Sequence, residues 1–309
     1  MCMPEGERNP DRMTCRRVAV LSDIHSNYYA LKNCIDDAIR EGADGFIFLG
    51  DYVSGLSEVT QTLDLVYRIR DTYPTVCLRG NRERYMLEEK CGSFPFTRGS
   101  NTGSYLFTHE RLRPEDRAFF AALPCYERIQ INGVDLELAH ATKGDDRAYF
   151  YEQKPEILQV FPQMEAAYLI TGHSHVQYSQ AQGDKTIINP GSVGLPHGGD
   201  NRAKYALLQV SPEGVQWEFR AVSYDIRAVI HAQFASGLAA YAPCWAAGEL
   251  YSVILGTGRT AGLLERISNL SKQDYSVWHN EKIWRQCLAE EGMALTEEEI
   301  LAFYESTLI

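Results

Sequence analysis

The stretch that decides the fold is Val18-Ala19-Val20-Leu21-Ser22-Asp23-Ile24-His25-Ser26-Asn27. An apolar, β-branched run of this kind is typical of a buried strand. It ends abruptly in Asp23 and His25, and a carboxylate and an imidazole can together bind a metal ion. Because ligands gather at the carboxyl ends of strands in doubly wound α/β proteins, a metal site at this edge is one interpretation. The other is a plain strand end, with Ser26 or Asn27 capping the next helix.

The same pattern of an apolar run followed by a polar side chain recurs along the chain. A second buried strand ends in Asp51, and a third leads into Asn81. Helical periodicity separates these strands, which predicts parallel βαβ units. Two later apolar runs end in His140 and in His173-Ser174-His175.

Composition excludes several classes of protein. Of the 309 residues, 45% are hydrophobic and 23% are charged, which is typical of a soluble globular protein. The net charge of -11 argues against an extended nucleic-acid surface, because phosphate neutralisation needs clustered Lys and Arg. No apolar stretch approaches the roughly 20 residues of a membrane span, and the polar N-terminal segment does not predict a signal peptide. The eight cysteines include no CxxC pair, which indicates reduced thiols and a cytoplasmic location.

Three segments are expected along the chain. Residues 1–15 are predicted to be a flexible tail, and residues 16–222 a catalytic domain. Within that domain βαβ spacing gives way to hairpins, which predicts two packed sheets or one mixed sheet. Residues 223–309 are predicted to be a helical C-terminal extension. Its apolar residues could pack on the preceding domain, cover the active site or build a homo-oligomer; they include Leu250, Val253, Ile254, Leu263 and Leu264.

Seven potential metal ligands follow the apolar runs, and all are nitrogen or oxygen donors. They are Asp23, His25, Asp51, Asn81, His140, His173 and His175. Seven ligands exceed what one tetrahedral zinc ion takes, and they suit two metal ions that share a bridging carboxylate. The mixture of imidazole and oxygen donors favours manganese, iron or zinc over calcium. Two such ions, roughly 3.5–4 Å apart, can hold a hydroxide between them and bind the oxygens of a phosphoryl group.

Taken in order, these motifs resemble those of the calcineurin-like metallophosphoesterases. The motifs are Asp23-x-His25, Gly50-Asp51, Gly80-Asn81, His140 and Gly172-His173-Ser174-His175. The following Asn189-Pro190-Gly191-Ser192-Val193-Gly194 is similar to the small prokaryotic branch of that superfamily. The resemblance covers residues 16–222 and implies an α/β fold, a four-layer αββα sandwich, followed here by the helical C-terminal appendage.

The resemblance also implies how the ligands divide. One metal would take Asp23, His25 and His175, and the other would take Asn81, His140 and His173. Asp51 would bridge the two metals. The loop at Asn189 is open to two interpretations, a tight turn or a support for the ligand histidines.

Arg82 departs from the family pattern, since many members have His after the Gly-Asn pair. Arginine stays charged at any working pH and is a poor general acid, but its planar fork could bind phosphate oxygens. The alternative is that Arg82 faces solvent at a helix start. His197 is likewise open to two interpretations, a substrate contact or a histidine of a surface loop.

The sequence therefore predicts a metal-dependent phosphoesterase that hydrolyses phosphomonoesters or phosphodiesters with a hydroxide held by a dinuclear centre. The catalytic residues would be Asp51, Asn81, Arg82 and His140, with Asn81 and Arg82 orienting the phosphate. The expected partner is a small phosphorylated substrate or a nucleotide. The alternative is a catalytically weak phosphate or nucleotide sensor, or a protein-interaction scaffold, on the same fold. Because all seven ligand positions are filled, the enzyme is favoured.

Overall fold

The computed structural model describes residues 12–92, 94–99, 102–271 and 280–308. The strands of these residues are β1 (Arg12–Met13), β2 (Arg17–Leu21), β3 (Gly45–Phe48), β4 (Thr75–Cys77), β5 (Lys90–Cys91), β6 (Phe94–Pro95), β7 (Tyr126–Ile131), β8 (Val134–Ala139), β9 (Tyr168–Thr171), β10 (Gln177–Gln182), β11 (Lys185–Pro190), β12 (Ala203–Ser211) and β13 (Gly214–Val222). The helices are α1 (Tyr28–Arg40), α2 (Val59–Thr72), α3 (Asn81–Glu88), α4 (Gly103–His109), α5 (Pro114–Ala122), α6 (Pro155–Leu158), α7 (Ile226–Ala235), α8 (Leu238–Tyr241), α9 (Pro243–Leu255), α10 (Arg259–Ser271), α11 (Glu281–Glu290) and α12 (Glu297–Ser306).

Two large sheets form the centre of the fold. One has the strand order β13-β12-β2-β3-β4, and the other has the order β1-β7-β8-β9-β11-β10. Strands β2, β3 and β4 pair in parallel, so the βαβ units predicted from the sequence are confirmed. The β7–β8 and β12–β13 pairs are antiparallel. The interpretation with two packed sheets is therefore the correct one.

The two sheets pack face to face through a shared apolar core. Val20 and Leu49 contribute to it from one side, and Leu136 and Ile170 from the other. On the outer face of the first sheet, α1 and α2 bury residues such as Leu31. The outer face of the second sheet is covered by α6 and the short helix Phe161–Gln163. The predicted four-layer αββα sandwich is confirmed, and each fully buried Val, Leu or Ile stabilises it by about 1.5–3 kcal/mol.

Helix α1 begins at the cap that the sequence predicts and is tied to the sheet by a buried carboxylate. The Asn27 side chain accepts a hydrogen bond from the Ala30 N–H at 3.1 Å. Further along, Asp37 accepts a hydrogen bond from the Tyr205 hydroxyl at 2.8 Å and one from Arg220 at 3.1 Å. These contacts fix α1 against β12 and β13, so the loop that precedes α1 has a rigid support.

The expected N-terminal tail lies partly within the fold. Residues 1–11 lie outside the described residues. Arg12–Met13 pairs with β7, and Met13 and Cys15 are buried in the core between the sheets. The prediction of a tail through residue 15 therefore differs from the structure at residues 12–15, because these two apolar side chains fill space beside Gly45.

The residues after Val222 form the helices α7 to α12, as expected. Leu250, Val253 and Leu263 are buried in a second core that also contains Leu56 and Leu195 of the sandwich. The apolar faces are thus covered within the chain, and they give no support to the expected homo-oligomer, which stays a prediction. Among the helices of the described residues, none is both long and apolar enough to cross a membrane.

Candidate metal centre

All seven predicted ligands meet at one edge of the sandwich, where five strands end. The loops after β2, β3 and β4 carry Asp23 and His25, Asp51, and Asn81, and those after β8 and β9 carry the other three histidines. All seven side chains are buried or almost so. Six of them form two groups that share the carboxylate of Asp23, and Asn81 lies against the first group, with its Oδ1 3.2 Å from Nε2 of His140. The first contains Asp23, Asp51, His140 and His173, the second contains Asp23, His25 and His175, and within each group the donor atoms lie within 4.8 Å of one another.

Glycines allow these loops to approach so closely. Gly50 has φ = +100°, and a Cβ at that position would lie 2.3 Å from the Gly80 nitrogen. A Cβ at Gly172 would lie 2.0 Å from Oγ of Ser22. Any other residue would force the loops apart. This is the physical reason for glycine in the Gly-Asp, Gly-Asn and Gly-His motifs.

The backbone of the site is strained. Five of the seven predicted ligands have positive φ values between 51° and 63°: Asp23, His25, Asp51, His173 and His175. Non-glycine residues adopt this conformation rarely, at a cost on the order of 1–3 kcal/mol each, and such residues cluster at functional sites. Hydrogen bonds impose the conformation here. For example, the His25 N–H donates to the Asp51 carbonyl at 2.9 Å, and the His173 N–H donates to Oδ2 of Asp23 at 2.9 Å.

Three imidazoles are oriented by backbone carbonyls. Nδ1 of His25 faces the carbonyl of Ser54 at 3.2 Å. Nδ1 of His140 faces that of Leu49 at 2.8 Å, and Nδ1 of His175 faces that of Leu195 at 2.7 Å. A carbonyl oxygen only accepts, so each Nδ1 carries a hydrogen, and Nε2 is the ring atom that faces the cluster. Such carbonyl contacts are the usual orientation of metal-binding histidines.

The carboxylates lie between the two groups of imidazoles. Oδ2 of Asp51 is 3.7 Å from Nε2 of His25 and 3.6 Å from Nε2 of His140. Oδ1 of Asp23 is 3.3 Å from Nε2 of His175 and 4.0 Å from Nε2 of His140. Asp23 therefore lies as centrally as Asp51, which the sequence did not indicate.

The polar atoms of the cluster fit a cation. Among the described residues, Oδ1 of Asp23 is buried without a hydrogen-bond partner, and Nδ1 of His173 lies 3.2 Å from Nε2 of His140. An unpaired buried acceptor is costly, and a divalent ion among these donors would satisfy it. Imidazole and carboxylate donors in this mixture suit manganese, iron or zinc.

The charged side chains of the cluster shift one another's pKa values. Burial alone would raise the pKa of Asp23, but the imidazoles of His175, His140 and His25 lower it far below its ordinary value. Burial, together with the charges of His175 and Arg82, lowers the pKa of His25 well below its usual range. Burial and the charge of His140 lower the pKa of His173 to about 2. The last two imidazoles are thus neutral at pH 7, the form that binds metal ions.

Arg82 points into the site and does not face solvent. Its backbone N–H donates to Oδ1 of Asp51 at 2.8 Å, and its Nε lies 3.6 Å from Oδ2 of the same residue. One guanidinium nitrogen donates to the hydroxyl of Tyr105. In the described part of the chain, Nε of Arg82 is among the buried donors without a hydrogen-bond partner. A charged donor is therefore available beside Asp51.

His197 belongs to a loop that lies beside the cluster. Its ring centroid is 4.7 Å from that of His175, and its N–H donates to the His175 carbonyl at 3.1 Å. Gly258 of the C-terminal extension packs on the other side, where a Cβ would lie 2.9 Å from Cε1 of His197. The extension thus closes this rim of the site.

The Asn189 loop supports the ligand histidines. The Asn189 side chain donates to the carbonyl of Gly172 at 2.8 Å and to Oγ of Ser174 at 3.0 Å. These two residues flank His173. The structure therefore favours the supporting role over a plain turn.

Three further residues near the cluster were missed by the sequence reasoning. Glu83 is fully buried, and its carboxylate accepts the N–H groups of Asp51, Tyr52 and Gly80 at 2.8–2.9 Å. Its position three residues after Gly80, at the start of α3, was the available signal. Glu249 of α9 is buried, and this burial raises the pKa of its carboxyl group, against the lowering effect of Arg82 and His175. Tyr149 places its ring 4.2 Å from that of His173. No sequence pattern marked Glu249 or Tyr149.

Comparisons with known proteins agree with this geometry. Residues 17–213 match the model of the calcineurin-like phosphoesterase superfamily domain. Because that match covers well over half of the chain, the protein belongs to the calcineurin-like phosphoesterase superfamily. The resemblance drawn from the motifs is confirmed at that level.

Individual relatives share the fold at low identity. An uncharacterized protein of Methanocaldococcus jannaschii is 27% identical over 227 residues, which are 68% of this chain and 88% of that protein. The crystal structure of a metallophosphoesterase from Sphaerobacter thermophilus is similar with a TM-score of 0.64 at 22% identity, covering 79% of this chain and 100% of that one. A hypothetical protein from Pyrococcus horikoshii gives a TM-score of 0.62 at 19% identity, covering 73% of this chain and 94% of that one. These similarities extend the family assignment to the fold.

Proposed function

We propose that this protein hydrolyses phosphomonoesters or phosphodiesters of small molecules at a centre that binds two divalent ions, manganese, iron or zinc. The observation that carries the proposal is the set of inward-facing acceptors. Nε2 of His25 and Nε2 of His175 lie 3.2 Å apart, and Oδ1 of Asp23 is buried without a hydrogen-bond partner in the described chain. Lone pairs and carboxylates converge there, and a shared cation satisfies them together.

Each ion would have three ligands of its own. Asp23, His25 and His175 suit the first, and Asn81, His140 and His173 suit the second. Asp51 lies near both groups, which supports its role as the bridge, and Oδ1 of Asp23 is a second candidate for that role. When bound, the two ions supply a nucleophile derived from water at neutral pH and neutralise phosphoryl charge.

The chain itself would bind and orient the phosphate. Arg82 offers a charged donor beside Asp51, and charge-assisted hydrogen bonds from such a donor position an anion strongly. Asn81 lies in the same group of side chains, with its Oδ1 3.2 Å from Nε2 of His140. His197 lies beside His175 at the edge of the site, where it would contact the substrate. Because arginine donates no proton at working pH, the favoured substrates have leaving groups that need little protonation.

Three further features belong to this proposal. The division at residues 16–222 and 223–309 follows the change from strands to helices. A cytoplasmic location fits the unpaired state of the seven cysteines in the described chain. The narrower assignment to the small prokaryotic branch rests on Asn189-Pro190-Gly191-Ser192-Val193-Gly194 alone.

The test is an assay of manganese-loaded protein on nitrophenyl phosphate, bis-nitrophenyl phosphate and a dinucleoside polyphosphate. Asp51→Asn is expected to lose turnover while it stays folded, and Asp36→Asn, an exposed aspartate of α1, is the matched control. Full activity of Asp51→Asn would contradict the bridging role. Binding of phosphate without turnover of any ester would instead support the sensor.

A further inference from the structure

A pair of exposed aromatic side chains lies beside the cluster. Of the six large apolar side chains that are strongly exposed in the described residues, three are Tyr149, Tyr151 and Leu158. Tyr149 is 59% exposed, yet its ring centroid is only 4.2 Å from that of His173, with an angle of 37° between the ring planes. The Tyr149 ring therefore lies at the boundary between the metal centre and solvent.

The loop that carries the two tyrosines is held in place. Phe150 between them is buried, and its carbonyl accepts the Tyr178 hydroxyl at 3.3 Å. Upstream, Asp146 pairs with Arg84 at 2.6 and 2.9 Å. Phe150 is buried, whereas the tyrosines on either side of it are exposed. Their rings are nearly parallel, at 17°, with centroids 6.5 Å apart. We call them the Tyr149–Tyr151 face.

The face is continuous with the site of phosphate binding. The Tyr149 ring packs on that of His173, and Nδ1 of His173 lies 3.2 Å from Nε2 of His140 within the cluster. Tyr151 adjoins Tyr149 and enlarges this face.

We propose that the Tyr149–Tyr151 face stacks against an aromatic ring of the phosphoester substrate, with the phosphoryl group at the cluster. This assignment rests on the proposed function and deepens it by naming the substrate class. Two exposed, nearly parallel rings stack favourably on a planar π system. They gain much less free energy from contact with an alkyl group. An aryl group attached directly to phosphorus would reach Tyr149, whereas a nucleobase, held further from the phosphate, would contact Tyr151 as well.

The experiment measures binding, so it does not depend on turnover. The manganese-loaded full chain is titrated by calorimetry with phenylphosphonate, methylphosphonate and a non-hydrolysable adenosine 5′-phosphonate. Stacking of one ring is worth about 1–3 kcal/mol, so phenylphosphonate is expected to bind about tenfold tighter than methylphosphonate. Tyr149→Leu is expected to remove this preference and Tyr149→Phe, the matched control, to keep it. Tyr151→Leu is expected to weaken the binding of the adenosine compound only. This result would distinguish a nucleotide substrate from an aryl phosphate.

The possible failures are distinguishable. Equal binding of phenylphosphonate and methylphosphonate to the wild-type protein would overturn the stacking proposal while leaving the phosphoesterase intact, and this comparison needs no variant to fold. An equal loss of both ligands in Tyr149→Leu would also overturn it, because Tyr149 would then act by orienting His173. Absence of binding of all three phosphonates, with no hydrolysis of any ester, would overturn the proposed function itself.

Discussion

Nε2 of His25 lies 3.2 Å from Nε2 of His175, although the two residues are 150 positions apart in the chain. Each ring donates its Nδ1 hydrogen to a backbone carbonyl, so two nitrogens of acceptor character face each other across a buried gap. Two such atoms need a shared proton or a shared cation. Oδ1 of Asp23, an unpaired buried acceptor in the described chain, lies 3.3 Å from Nε2 of His175. A cation among these three atoms would satisfy all of them together.

Manganese is therefore expected to stabilise the fold. At a concentration about 100 times the dissociation constant, a ligand that binds only the folded state adds about 2.7 kcal/mol, and a chelator should remove that gain. The melting temperature of His175→Ala should respond far less than that of the wild type. His231→Ala is the control, because His231 is exposed and pairs with Glu297. Differential scanning calorimetry makes the comparison, and an equal shift in both variants would contradict the ligand assignment.

Arg82 is expected to bind phosphate without donating a proton. Arg82→Ala should raise KM for nitrophenyl phosphate about 10- to 100-fold, since a charge-assisted hydrogen bond is worth about 1.5–3 kcal/mol. Arg82→His should improve kcat on alkyl phosphates relative to nitrophenyl phosphate, because an imidazole can protonate the leaving group. Steady-state kinetics on both substrates decides this, with the exposed Arg68→Ala as control. Unchanged rates on alkyl phosphates would count against the leaving-group argument.

Glu83 is expected to position the bridging aspartate. Its carboxylate accepts three backbone N–H groups around Asp51 and Gly80. Glu83→Gln would put an amide against some of these donors and should lower the free energy of unfolding by about 1–3 kcal/mol. Urea denaturation measures this, with Glu88→Gln, an exposed residue of the same helix, as control. Equal stability of the two variants would show that the contacts around Glu83 are unimportant.

Asp37 should make the stability depend on acid pH. Burial alone would raise the pKa of Asp37, but hydrogen bonds from Tyr205, Arg40 and Arg220 lower it below its ordinary value. A lowered folded pKa means that the stabilisation is complete above the unfolded pKa of about 3.9 and is lost as the pH falls through the folded value. Asp37→Asn should therefore lower the free energy of unfolding at pH 7 by about 2 kcal/mol.

The difference between Asp37→Asn and the wild type should shrink as the pH falls below about 4. Urea denaturation at a series of pH values measures it. Asp36→Asn is the control, because Asp36 is exposed and pairs only with Lys32 in the described contacts. A difference that stays constant down to pH 2 would show that the Asp37 charge does not contribute.

The sequence predicted the strand ends because their chemistry is local. Apolar runs that end in Asp23, Asp51 or His140 indicate both a strand and the edge at which it delivers a side chain. The helix cap at Asn27 is local in the same way. The structure contains both the predicted strand ends and this cap. The division into two sheets followed from the change between βαβ and hairpin spacing.

What the sequence could not show are contacts between distant segments. Glu249 and Gly258 reach the site only because the C-terminal helices pack on Leu56 and Leu195, and periodicity does not say which surface a helix covers. The sequence did not indicate Tyr149, because its segment has no helical or strand periodicity. The burial of Met13 and Cys15 was missed because a two-residue strand is too short for a hydrophobic period.

The most direct measurement is anomalous diffraction from manganese-loaded crystals. The account predicts two peaks, roughly 3.5–4 Å apart, one among Asp23, His25 and His175 and one among Asn81, His140 and His173, with Asp51 between them. A map without peaks at these side chains, or with the metal bound elsewhere on the protein, would contradict it.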